Sequence, residues 1–240
     1  MKPKWLLGDD LKNVFVIPKD RNYLDDMKQK LGTAKNIAVI GAGFIGVELS
    51  DELTKHGYKV TLIEKMPHIL ALAFDPEIAE RIREMLNSRG VNIIEGKGIS
   101  KVLGTDRVEA IELEDGQTMD MDAVVLSIGY KPNSELAKQS GVYVDEDNFI
   151  AVDEYMRTHV NDVFAIGDCA QKRDFVTRSR VSTMLASTAC AEARIAGMNL
   201  FDLQVVKTFS GTIAIYSTAV GNTGFGTAGI TEQRAEQEGI

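Results

Sequence analysis

Asn36-Ile-Ala-Val-Ile-Gly-Ala-Gly-Phe-Ile-Gly-Val-Glu48, followed by Val60-Thr-Leu-Ile-Glu64, is the stretch that decides the fold. An apolar strand runs directly into Gly41, Gly43 and Gly46, and a helical pattern follows. A second apolar strand then ends in a carboxylate about 20 residues after the first glycine, the layout of a dinucleotide-binding βαβ unit. The glycine triplet alone is weak evidence. It becomes specific because the strand before it, the helix after it and the acid all stand in register.

Each glycine has a separate task in such a unit. Gly41 permits the sharp turn out of the strand, Gly43 lets backbone approach a pyrophosphate, and Gly46 allows close packing of helix on sheet. The phosphates then rest on the helix N-terminus, where unpaired N–H groups and the helix dipole favour anions. Glu64 closes the second strand where a carboxylate accepts hydrogen bonds from ribose hydroxyls and repels a 2′-phosphate, so NAD(H) is favoured over NADP(H). Lys65 and His68 follow closely and soften that repulsion.

Outward from this core, the spacing predicts a strand over 37–40, a helix over 44–56 with Ile45, Val47, Leu49 and Leu53 on the sheet, and a strand over 59–63. A short amphipathic helix over 25–31 precedes them. Asp75-Pro-Glu opens another helix, with Asp75 as cap, Pro76 in the first turn, and Ile78, Ile82, Met85 and Leu86 repeating until Gly90. A strand over 91–94 follows. Strands over 108–113 and 118–121 flank a tight turn at Asp115-Gly116, which reads as an antiparallel layer inserted into the nucleotide fold. An apolar strand over 122–128 ends at Gly129-Tyr-Lys-Pro-Asn133.

Beyond about residue 146 the pattern changes. A strand over 163–166 ends in Gly167-Asp168-Cys169-Ala170, a helix rich in small residues runs from 182 to about 198, and 205–216 reads as a strand of something new. A final helix starts at Thr231. Asp168, at the end of an apolar strand, either caps a helix or faces the crevice where open α/β sheets bind ligands. Glu48 is either solvent-facing or near a cofactor, and spacing alone favours solvent.

Composition narrows the remaining classes. With 240 residues, 44% hydrophobic and 26% charged, the chain has an ordinary globular balance. A net charge of −8 without basic clusters argues against nucleic acid. No stretch approaches the roughly 18 unbroken apolar residues of a membrane span, and the first ten residues are no signal peptide. Cys169 and Cys190 are too few for a disulfide framework, so they read as reduced thiols of a cytoplasmic protein. His56, His68 and His159 share no spacing, and no metal site is expected.

The ordered set Gly41-Ala-Gly-Phe-Ile-Gly-Val-Glu48, Ser127-Ile-Gly-Tyr-Lys-Pro-Asn133 and Thr158-His-Val-Asn-Asp-Val-Phe-Ala-Ile-Gly-Asp-Cys-Ala170 resembles the flavin-dependent pyridine nucleotide-disulfide oxidoreductases, in the branch of NADH oxidases, NADH peroxidases and coenzyme A-disulfide reductases. The closing Gly229-Ile-Thr-Glu-Gln-Arg-Ala-Glu-Gln-Glu-Gly239 is similar to the start of that branch's dimerisation domain. The resemblance implies a crossover from an FAD domain over 1–33, an NAD(H)-binding domain over 34–146, the returning segment of the FAD domain over 147–204 and the start of a dimerisation domain over 205–240. It also implies that Phe44 gates the nicotinamide pocket, Glu48 lies near nicotinamide and flavin, Gly129 contacts the nucleotide by its backbone, and Asp168 holds the flavin's ribityl chain. The expected cofactor-binding set is therefore Gly41, Gly43, Phe44, Ile45, Gly46, Glu48, Glu64, Lys65, Gly129 and Asp168, with no catalytic residue in the chain itself.

One departure from that family bears on function. No glycine-rich FAD motif and no redox cysteine precede Asn36. The expectation is an α/β protein, the NADH-binding portion of a flavoenzyme that passes hydride from NADH to FAD and on to a disulfide, peroxide or dioxygen. It needs the remaining part of its FAD domain to turn over, and is a homodimer when complete. The competing reading is a stand-alone NAD(H)-binding or redox-sensing module. An ordinary dehydrogenase is disfavoured, because no Ser-Tyr-Lys or His-carboxylate constellation is present.

Overall fold

A computed structural model describes residues 5–202 and 207–240. The chain divides into two compact units, one of Met1–Gly129 with Ser217–Gly226, the other of Tyr130–Tyr216 with Thr227–Ile240.

In the first unit the elements in chain order are β1 (Val14–Val16), α1 (Arg21–Leu31), β2 (Asn36–Ile40), α2 (Phe44–Lys55), β3 (Lys59–Ile63), α3 (Pro76–Ser88), β4 (Asn92–Ile94), β5 (Ile99–Leu103), β6 (Ala110–Leu113), β7 (Thr118–Asp120) and β8 (Ala123–Leu126). The parallel sheet runs β1-β8-β2-β3-β4, and β5-β6-β7 form a separate antiparallel sheet between β4 and β8 in the chain. Ile37 pairs with Val60 on one side and Ala123 on the other, which puts β2 at the centre. Because side chains alternate along a strand, the two faces of β2 meet different layers. Ala38 and Ile40 join a cluster with Ile99, Val102, Ile111 and Leu113 of the antiparallel sheet. Ile37 and Val39, fully buried, belong to the opposite face. Each such side chain contributes about 1.5–3 kcal/mol through burial.

Several expectations shift. The first helix starts at Arg21 rather than 25, because Asp20 caps it by accepting from the Tyr23 N–H at 3.2 Å. On α2 the buried face is Gly46, Val47, Ser50 and Leu53, while Ile45 is 43% exposed. Gly46 sets that phase, since only a glycine can lie so close to the preceding loop. Asp75 sits at the cap of α3 without a side-chain bond to its first turn. Ile78 is 37% exposed, and Ala79, Ile82 and Leu86 form the buried stripe. Strands β1 and β5 were not expected. The turn at Asp115-Gly116 is present, with Gly116 at φ +85° and its N–H donating to Leu113 O at 3.0 Å.

The second unit contains α4 (Glu135–Gln139), a single 3₁₀ turn (Gly167–Cys169), the antiparallel pair β9 (Lys172–Arg173) and β10 (Arg180–Val181), and α5 (Ala186–Met198). Its small core gathers Val142, Ile150, Ala165 and Ala170. The strand expected over 163–166 does not form. Phe164 makes one isolated bridge to Arg157, since no neighbouring strand runs alongside to complete a ladder among the described residues. The strand expected over 205–216 falls partly outside the described residues. The strand there, β11, is Ile215–Val220; it forms a two-stranded sheet with β12 (Thr223–Ala228), the chain turning back at Gly221 (φ +58°), and Ser217–Gly226 of this hairpin belong to the first unit. The last helix, α6 (Glu232–Glu238), starts as expected at Thr231, whose hydroxyl accepts from the Arg234 N–H at 3.2 Å. Among the described residues no helix is long and apolar enough to cross a membrane, and no group of His, Cys, Asp and Glu could hold a metal.

Candidate functional site

The site is built at the carboxyl ends of β2, β3 and β8, where open parallel sheets bind nucleotides. Gly41 leaves β2 at φ +94°, a conformation that suits glycine, and its N–H donates to Ile63 O at 2.8 Å. Ser127, at the end of β8, aims its hydroxyl at Gly41 O (2.6 Å) and Ile40 O (2.9 Å), so the loop is clamped from both sides. A Cβ on Gly46 would lie 1.9 Å from Gly41 O, whereas a Cβ on Gly43 would meet nothing within 4 Å. The first glycine position thus serves the turn, the third serves packing, and the second leaves space open above the loop. Gly43, at the N-cap of α2, brings no side chain to the first turn, which leaves that end open toward an anion.

Glu64 is tied into the same loop. One carboxylate oxygen accepts from the Ala42 N–H at 2.6 Å and the other from the Met66 N–H at 2.8 Å. A carboxylate has about four lone-pair positions, so two remain for hydroxyl donors. Lys65 does not turn back toward Glu64. Its ammonium pairs with Glu114 at 2.8 Å, and that hydrogen bond, working against burial, holds the Glu114 carboxyl below the usual range. Beside these groups lies a cleft of about 350 Å³ whose lining includes Gly41, Glu64, Lys65, Lys97, Gly98, Ile128 and the chain's single tryptophan, Trp5. A larger hollow of about 470 Å³ sits at the opposite edge, against Asn36, Lys59 and Asn92. That edge carries the amino ends of the strands, where parallel sheets do not place nucleotides.

Phe44, Glu48 and Gly129, also expected at the site, lie in the same unit. Phe44, half-buried, packs its ring against Phe74 with centroids 6.1 Å apart at 60°. Phe74 is carried by a turn at Leu70, a non-glycine at φ +54° whose N–H donates to Ala42 O at 2.9 Å. Gly129, exposed at φ +95°, ends the loop after β8. Glu48 is exposed on α2 and accepts from the Thr218 hydroxyl at 2.9 Å. One turn on, Asp51 is buried; its burial would raise the carboxyl, but Arg89, the Gly221 N–H and Lys55 together hold it below the ordinary value. Ser127, Phe74 and Thr218 were missed by sequence reasoning. Only Ser127 had a local signal, at the end of an apolar strand.

Asp168 belongs to the second unit, exposed on the 3₁₀ turn. Gly167 starts that turn at φ +76°, and its N–H donates to Glu192 at 2.6 Å. Lys172 donates to Gly167 O and, at 3.0 Å, to Ala170 O, and lies 3.4 Å from Glu192 with both side chains fully buried. Burial raises the Glu192 carboxyl despite Lys172 and Gly167. The exposed aspartate therefore stands on a turn fixed from beneath.

Comparisons with known proteins bear on family and fold. The family model described as pyridine nucleotide-disulphide oxidoreductase matches residues 7–193. An NADH oxidase of Methanocaldococcus jannaschii is 33% identical over 80% of the chain and 43% of its own length. An NAD(P)H coenzyme A polysulfide/persulfide reductase of Pyrococcus horikoshii is 33% identical over 97% of the chain and 52% of its own length. The solved water-forming NADH oxidase from Lactobacillus brevis, bound to NADH, superposes on 100% of the chain and 52% of its own with a TM-score of 0.90 and 28% identity. The chain spans about half the length of the curated relatives it matches.

Proposed function

Since the chain belongs to the pyridine nucleotide-disulphide oxidoreductase family, we propose that it is the NADH-binding portion of a flavin-dependent oxidoreductase. The complete enzyme takes hydride from NADH onto FAD and delivers the electrons to a disulfide, a peroxide or dioxygen. It is a cytoplasmic homodimer in this reading. The single observation that carries the assignment is the pair of Glu64 hydrogen bonds to Ala42 and Met66, which holds a carboxylate with spare lone pairs beside the glycine turn.

The roles follow from the chemistry of the ligand. The pyrophosphate rests over Gly43 on the N-terminus of α2, and the adenosine ribose donates its hydroxyls to Glu64. A 2′-phosphate would bring like charge against that carboxylate, which sets the preference for NADH. Phe44 and Glu48 border the nicotinamide, Gly129 offers backbone to the nucleotide, and Asp168 accepts from the flavin's ribityl hydroxyls. Bound FAD supplies the hydride acceptor, and the protein supplies orientation.

Trp5 lines the cleft and is the only tryptophan, so its emission reports occupancy without a label. NADH is expected to quench it and bind more tightly than NADPH. Glu64→Gln removes a charge-assisted acceptor and is expected to weaken NADH about tenfold to a hundredfold while narrowing the gap to NADPH. Equal affinity of the wild-type chain for the two cofactors overturns the assignment. Steady NADH oxidation by the chain with no added flavin-binding partner overturns its role as a portion of a larger machine.

A further inference from the structure

We infer that Thr218, on the hairpin of β11 and β12, is a positioning residue of the nicotinamide site, acting through Glu48. The inference rests on the reading of Glu48 as the carboxylate beside the nicotinamide. Glu48 is exposed on α2, and an exposed glutamate has three rotatable bonds with no reason to hold one direction. Here the direction is chosen by a hydroxyl from 170 positions along the chain, donating at 2.9 Å to Oε1.

The donor is itself fixed. Thr218 is 6% exposed and Val220, two residues on, is fully buried. Gly221, at the turn, donates its N–H to Asp51 Oδ2 at 3.2 Å. Asp51 lies one helical turn beyond Glu48, so the two carboxylates share one face of α2. Asp51 is in turn held by Arg89 and by Lys55 at 3.1 Å. A Cβ on Gly221 would come within 3.0 Å of the Arg89 guanidinium, which shows how closely the turn is seated. The hairpin tip is thus registered on α2 at two points, and only the Thr218 contact is free of a structural ion pair. Glu48 keeps its second oxygen, Oε2, for a donor on the nicotinamide carboxamide.

ADP-ribose separates a positioning role from a structural one, because it carries the adenosine and the pyrophosphate but no nicotinamide. Thr218→Val keeps the shape and removes the hydroxyl, and Thr218→Ser keeps the hydroxyl. For the 240-residue chain, Thr218→Val is expected to weaken NADH about fivefold, the effect of one net hydrogen bond, and to leave ADP-ribose unchanged. Thr218→Ser should restore NADH affinity. Loss of both ligands in parallel with Thr218→Val makes the contact structural and overturns the inference. Glu48→Gln is the control for the underlying reading. If it leaves the ratio of NADH to ADP-ribose affinity unchanged, the assignment of Glu48 fails; if it lowers that ratio and Thr218→Val does not, the assignment stands and the inference about Thr218 fails.

Discussion

Gly46→Ala is expected to weaken NADH binding by more than about a hundredfold, because the loop and the helix cannot both keep their places once a methyl group stands between them. The added Cβ would sit 1.9 Å from Gly41 O, 2.8 Å from Ser127 Oγ and 3.0 Å from the Gly41 carbonyl carbon. Carbon contacts settle near about 3.5–4.0 Å, so the helix must retreat by more than about 1 Å. Gly41 cannot yield instead, since its N–H is bound to Ile63 O and its carbonyl to Ser127. Overpacking of this kind also costs about 1–3 kcal/mol of stability. Gly43→Ala is the informative partner. Its Cβ enters open space and its backbone is extended, at φ −70° and ψ −174°. It should leave the urea midpoint unchanged yet weaken NADH by covering the place proposed for the pyrophosphate. Wild-type affinity in Gly46→Ala, read by Trp5 quenching, would refute the close-packing argument.

Lys172→Met should produce the largest loss of stability, about 3–5 kcal/mol near neutral pH, because it leaves the Glu192 carboxylate buried without a counter-charge. The side chains of both residues are fully buried and 3.4 Å apart. Burial already raises the Glu192 carboxyl above its ordinary value of 4.5, with Lys172 pulling it back down. Removing the lysine raises it further. The folded state then binds a proton more readily than the unfolded chain, so the stability tied to that proton is fully present below the ordinary glutamate value. It is lost as pH rises through the raised folded value. The deficit of Lys172→Met should therefore shrink as pH is lowered from neutral toward that ordinary value, as measured by urea melts across the range. The double variant with Glu192→Gln should recover much of it at neutral pH, since glutamine still accepts from the Gly167 N–H. A deficit that is the same at every pH would show that lost packing, not the buried charge, is responsible.

The part of the site that lies along one stretch of chain was legible in the sequence. Strand, glycine turn, helix and closing acid are local signals, and β2, α2 and β3 lie where the apolar runs and glycines place them. What escaped was non-local or too short to show a period. Strand β1 has three residues, and β5 interleaves Ser100 and Lys101 with its apolar positions, so both gain strand character only from the partners they pair with. The run over 163–166 is the converse case, apolar enough to read as a strand but without a ladder to join. Ile45 looked like a core residue because helical spacing fixes a period and not a phase; the phase came from Gly46. The hydroxyl that donates to Glu48 and the ring packed against Phe44 come from Thr218 and Phe74, residues that chain folding alone brings near. A threonine and a phenylalanine carry no spacing that announces such partners.

The hydrogen bonds of Glu64 bear on any attempt to redesign cofactor choice. On the proposed assignment, the group that would reject a 2′-phosphate is also the acceptor for the Ala42 and Met66 N–H groups, so selectivity and loop geometry would reside in one side chain. Exchanging it for a small or basic residue to admit NADPH would orphan two amide donors at the rim of the cleft. A successful switch therefore has to be a set of changes, one that welcomes the phosphate and another that gives those amides a new acceptor. On that assignment, the loop's shape and the choice of nucleotide would have to change together.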